Sequence, residues 1–132
     1  MLNRRSFVAA TLAVAATPAA AQNAPWPSKP IKLINGFPPG GGADILARLV
    51  AERLSAALGQ QVIVENRTGA TGMIAAQSVA ASPPDGYTIL FAAIGHIATP
   101  SALYPKLPFD AVRDFAPISN LVDAPFSLFV HP

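Results

Sequence analysis

Cysteine is absent from these 132 residues, so disulfide staples, thiolate nucleophiles, thiolate metal centres and lipid attachment through an amino-terminal cysteine are all excluded. Histidine is scarce: His96 and His131 are the only two. No serine stands in a Gly-x-Ser-x-Gly elbow, so the sequence offers no constellation for nucleophilic or general-base catalysis. Charged residues make up only 12% of the chain, and Lys and Arg form no cluster that would mark a nucleic acid or anionic lipid surface. No apolar run reaches the roughly 18 to 20 residues that a bilayer span requires.

At the amino terminus, Arg4 and Arg5 precede an uncharged run from Phe7 to Ala16, Pro18 breaks it, and Ala19-Ala-Ala21 supplies the small residues a signal peptidase accepts. Residues 1–21 therefore read as a signal peptide with cleavage near Ala21 and a periplasmic destination. Asn3-Arg-Arg-Ser-Phe-Val8 fits the twin-arginine route as well as the ordinary secretory one. Two of the nine Lys and Arg residues leave with that segment, so seven remain against seven Asp and Glu. The mature chain is neutral, and its basic isoelectric point belongs to the export signal.

The rest alternates strand, glycine turn and helix. Ala24-Pro-Trp-Pro-Ser-Lys-Pro30 cannot be helical and leads extended into a first strand at residues 31–37, with Trp26 as an anchor. Phe37-Pro-Pro-Gly-Gly-Gly-Ala-Asp44 follows, then a helix at residues 43–58 with an apolar stripe of Leu46, Leu49, Val50, Leu54, Ala57 and Leu58, an Arg48–Glu52 pair on its outer side, and Gly59 as its cap. Val62 to Glu65 is a second strand. A second glycine turn through Gly69 and Gly72 opens an alanine-rich helix at residues 73–81, and Tyr87 to Ala93 is a third strand after the Asp85-Gly86 turn. Ile94 to Pro100 reads as the loop at its end, Ser101 to Tyr104 as a helical turn, and Ile118 to Val122 as a further strand. Strands separated by helices imply a parallel sheet, which gathers the glycine loops at the carboxyl ends of the strands, where open α/β sheets bind ligands.

The first of those loops is a seat for an anion. Gly40, Gly41 and Gly42 permit close backbone approach, and the helix behind them presents unpaired N–H groups at the positive end of its dipole. Asp44, in the first turn, caps the helix and favours its dipole, leaving the backbone N–H groups to meet a ligand. His96 after Gly95 can offer a ring N–H to a ligand or be satisfied locally. Arg67 is the cation beside these loops and could pair with a ligand carboxylate bidentately, yet its neighbour Glu65 offers a structural ion pair, which is the favoured reading. The contiguous glycines do not fit the G-x-G-x-x-G spacing of a dinucleotide site, although Glu65 stands where a ribose contact would; that enzyme reading is the alternative. No Gly-Lys-Ser/Thr follows, which removes a phosphate-binding P-loop.

The lead-in Trp26-Pro-Ser-Lys-Pro-Ile-Lys-Leu-Ile34, the loop Phe37 to Asp44, Leu58-Gly-Gln-Gln-Val-Ile-Val-Glu-Asn-Arg67, Pro84-Asp-Gly-Tyr-Thr88 and Asp114-Phe-Ala-Pro117 together resemble the Bug family, the substrate-binding proteins of tripartite tricarboxylate transporters. The resemblance implies an α/β, type II periplasmic-binding-protein-like lobe over residues 22–125. In this family a second lobe follows, and residues 126–132 read as the start of a crossover strand into it, so the sequence reads as a fragment. The same likeness implies a monomeric, non-enzymatic receptor with no cofactor and no metal. It would capture a small organic carboxylate for membrane subunits of a transporter, or for a sensor kinase. The implied ligand contacts are Phe37, Gly40, Gly41, Gly42, Ala43 and Asp44 in the first loop, and Gly95, His96 and Thr99 after the third strand. Thr68 and Thr99 depart from residues frequent in the family and bear on which acid is bound.

Overall fold

A three-stranded parallel sheet in the order β2-β1-β3 organises the computed structural model, which describes residues 25–123 and residue 128. The expected signal segment and the expected crossover strand, Leu128 apart, lie outside the described residues. Strand β1 spans Ile31–Asn35, helix α1 Gly42–Leu58, strand β2 Val62–Asn66, helix α2 Met73–Ala80, strand β3 Thr88–Phe91 and helix α3 Ile94–Leu103. No helix among the described residues is long and apolar enough to cross a membrane.

Strand β1 is central because its side chains are apolar on both faces. Ile31 and Leu33 join Ala47, Ala51 and Val62 in one buried cluster beneath α1. Ile34, of opposite parity, is fully buried, as are Ala75 and Ala76 of α2, which packs against β1 and β3. The chain moves from β1 to β2 on one side and returns to β3 on the other, so right-handed crossovers put α1 and α2 on opposite faces. That reversal of order makes a topological switch point at the carboxyl ends of the strands.

Helix α1 begins and ends where the glycines dictate, with Gly59 at φ +66° donating its N–H to the carbonyl of Ser55 at 3.1 Å. Its buried stripe differs from the expected one. Ala47 and Ala51 face the sheet with Leu54 and Leu58 beside them, whereas Leu49 is 51% exposed and Ala57 is exposed. Small residues win the central positions because the helix lies close on the strands. Arg48 also turns away from Glu52: its guanidinium bonds Asp44 one turn earlier, at 2.9 Å.

The third strand stops at Phe91, and the segment expected to be a loop is the first part of α3. Helix α3 even carries Pro100 inside it. Proline costs a helix its own N–H, and α3 tolerates this in a short element whose buried side is held by packing against α2. Ile118 to Val122 form no strand, and Ile118 is 82% exposed. β-Propensity expresses itself only where a neighbouring strand and a buried face receive it. Trp26 is a partial anchor: it is half-exposed, and its indole lies 5.9 Å from the Tyr87 ring.

Candidate functional site

The ends of all three strands border one hollow of about 460 Å³, lined by Gly36, Phe37 and Pro38 after β1, Thr68, Gly69, Thr71 and Gly72 after β2, and Ala93 to His96 after β3. Its floor is set by His96. The imidazole is 1% exposed, and the rings of His96 and Phe37 lie 4.5 Å apart between centroids. A Cβ placed on Gly36 would lie 2.8 Å from the imidazole Cε1, and one on Gly72 would lie 1.9 Å from its Cδ2. Only glycines at both positions let the three loops close on this side chain.

The hydrogen bonds of His96 fix its tautomer. Its Nδ1 accepts the Ala93 N–H at 3.3 Å, reaching back from the third helical residue to the helix cap, which leaves the proton on Nε2. Burial holds the imidazole below its ordinary pKa, so it is neutral. Among the described residues the Nε2 donor is buried without a partner, and so is the Nδ2 of Asn35 at the end of β1. A buried unpaired donor is costly, and the one on His96, which lines the hollow, calls for an acceptor that the described residues do not supply.

The first glycine loop has filled part of its own seat. The Gly40 N–H donates at 2.9 Å to the Asp44 carboxylate, which also accepts the Arg48 Nε at 2.9 Å and the Asn66 Nδ2 at 2.7 Å. These donors, the Arg48 guanidinium foremost, hold the Asp44 carboxyl far below the usual carboxylate range. The Asp44 N–H is engaged too, by the carbonyl of Gly41 at 2.9 Å. That leaves the Gly42 and Ala43 N–H groups in the opening turn of α1, where a helix has no internal acceptor to offer. Asp44 thus stands at the dipole's positive end as expected, but its side chain reaches back to the residue before the helix cap.

Of the residues expected at the site, Phe37, Gly95 and His96 line the hollow. Gly40 to Asp44 flank it without lining it, and Thr99 is exposed in the second turn of α3. Sequence reasoning passed over Gly36 and Asn66, and it read Gly72 as a turn glycine and Arg48 as a partner of Glu52. The signal for Asn66 lay in the parallel pairing: it is register partner to Asn35, so the last residue of β2 meets the loop leaving β1. Glu65 receives Lys32 at 3.1 Å and Arg67 at 3.0 Å, which bears out the structural ion pair and takes up the carboxylate that a ribose would need. Among the described residues no group of His, Asp or Glu could hold a metal ion. A second hollow of about 480 Å³ lies along the flank of β2 beside α1, away from the strand ends.

The model of the tripartite tricarboxylate transporter family receptor, TctC, matches residues 46–132. The chain belongs to that family. It is similar to a UPF0065 protein of Bordetella bronchiseptica, with 43% identity over 126 residues, covering 96% of this chain and 38% of that one. Protein BugT of Bordetella pertussis is 40% identical over 81% of this chain and 33% of its own. The chain thus spans about a third of the length of these relatives. Among solved structures, MatC from Rhodopseudomonas palustris with bound malate superposes with a TM-score of 0.66 at 36% identity, over 70% of this chain and 31% of MatC. A structure described as a periplasmic transporter superposes with a TM-score of 0.63 at 45% identity, over 67% of this chain and 30% of its own. This TctC-family chain has the parallel α/β lobe of periplasmic binding proteins.

Proposed function

We propose that this TctC-family chain forms the first lobe of a periplasmic receptor that captures a small organic carboxylate and hands it to the membrane subunits of a tripartite transporter. A sensor kinase is the other partner such a receptor could address. One observation carries the reading: the hollow at the strand ends has a largely apolar lining with no lysine or arginine in it, and the buried His96 beside it keeps a donor free. The His96 Nε2–H is buried and unpaired, and the opening turns of α1 and α3 point N–H groups toward the same end of the sheet. Such a site holds a carboxylate by directed hydrogen bonds and leaves an apolar wall of Phe37, Pro38 and Ile94 for its carbon skeleton. In this reading the contacts are Phe37, the N–H groups of Gly42 and Ala43, Gly95 and His96, while Gly40, Gly41 and Asp44 shape the loop. The malate bound by MatC makes a dicarboxylate the first ligand to try.

The proposed receptor catalyses nothing, needs no cofactor, reaches the periplasm by cleavage near Ala21 and works as a monomer. Calorimetric titration of the full-length receptor with malate and a panel of organic acids tests the binding, and indifference to every acid would overturn it. Mass spectrometry of the exported protein tests the cleavage site.

A further inference from the structure

The polar cluster beside the first glycine loop joins three segments that the backbone ladder leaves independent. Asn66, at the end of β2, donates its Nδ2 to the Phe37 carbonyl at 3.0 Å and to the Asp44 carboxylate at 2.7 Å. Asp44 in turn accepts the Gly40 N–H at 2.9 Å, and Arg48 bridges Asp44 at 2.9 Å and the Asn66 Oδ1 at 3.3 Å. The loop is therefore gripped at both ends, Phe37 and Gly40, by side chains from α1 and β2. Asp44 is the buried centre of the cluster, its side chain 4% exposed, and the half-exposed Arg48 covers it from the surface. None of Asp44, Arg48 and Asn66 lines the hollow.

We infer that Asp44, Asn66 and Arg48 form a positioning lock that holds the Phe37–Ala43 loop in its ligand-ready shape, setting the receptor's affinity for its acid without touching that acid. The loop needs such a device. It contains Pro38, Pro39 and three glycines, and its own backbone offers only a Gly41-to-Pro38 hydrogen bond at 3.4 Å to define it. Preorganising a flexible loop removes an ordering cost from binding. An internal carboxylate also spends the loop's leading N–H on a fixed anion, so the ligand meets the next two donors in a set direction. The inference rests on the reading of this loop as ligand-facing.

The test is hydrogen–deuterium exchange of the peptide covering Gly36 to Ile45 in the ligand-free full-length receptor, run beside malate titration. Asp44→Ala and Asn66→Ala each speed exchange of that peptide by about tenfold or more and weaken malate by a similar factor. Asp44→Asn falls between, and the double variant is no worse than the poorer single one, because both act through one unit. Asp85→Asn, which loses a remote exposed carboxylate, leaves exchange and affinity as they were. If Asp44→Ala does not fold, Asn66→Ala and Arg48→Gln carry the comparison. Exchange within twofold of the parent in all lock variants overturns the inference, and so does weaker malate binding with unchanged exchange. A parent receptor that binds no acid defeats the functional reading instead, while the exchange result still decides whether the lock exists.

Discussion

At Gly72 the backbone holds φ +87° and the imidazole of His96 lies where a side chain would begin. Gly72→Ala therefore meets both a left-handed penalty and a steric one, and we expect a loss of about 2–4 kcal/mol, measured by urea unfolding of the full-length receptor. His96→Ala in the same background recovers part of that loss, because the two changes share one volume. The ionisable residues make a second prediction. The Asp44 carboxyl is depressed in the folded state, so its contribution is complete above the unfolded value near 3.9 and is lost as pH falls below it. The stability gap between the parent and Asp44→Asn should narrow steadily as pH falls below about 4, since the folded carboxyl protonates only well below the unfolded value. His96, depressed by burial, acts in a higher window: stability is present above the unfolded value near 6.5 and declines below it as the unfolded chain takes up a proton that the folded ring resists. His96→Gln should flatten the urea midpoint between about pH 7 and pH 5.

Among the elements, α1 shows how pattern and packing diverge. Its length and its Gly59 stop were legible from periodicity and a glycine, because those are local properties of the helix. Which face it buries was not, since Ala47 and Ala51 rather than the larger leucines sit against the strands. Ala47→Leu should cost about 1–3 kcal/mol by overpacking, whereas Ala56→Leu on the exposed side should stay within about 0.5 kcal/mol; thermal and urea unfolding of the two variants make the comparison. Helix α3 was hidden for a different reason. Gly95 and Pro100 read locally as loop residues, and only packing against α2, with the Ala93–His96 cap bond, makes them helical. The extended reading of residues 118–122 failed in the opposite sense, with apolar residues present but no strand beside them.

For the whole molecule, the proposed receptor grips its ligand from two lobes, and this chain spans 38% of the Bordetella bronchiseptica relative. The isolated chain should then bind malate at least about a hundredfold more weakly than the full-length receptor, a loss of roughly 2.7 kcal/mol, measured by calorimetry on both. Because the hollow is lined without lysine or arginine, the full-length affinity should change less than about threefold between low and physiological salt, unlike a site built on charge pairs.

The alternation of β1 to β3 with α1 and α2, the glycine turns and the family are written in the sequence, because each depends on local conformational preference or on composition. Folding alone decided which groups are spent and which remain free. The Gly40 N–H goes to Asp44 and the Glu65 carboxylate to Lys32 and Arg67, while the His96 Nε2–H stays unpaired. Those outcomes turn on distances of about 3 Å between residues as many as 33 positions apart, as Lys32 and Glu65 are, and only the register of the parallel strands brings such residues together.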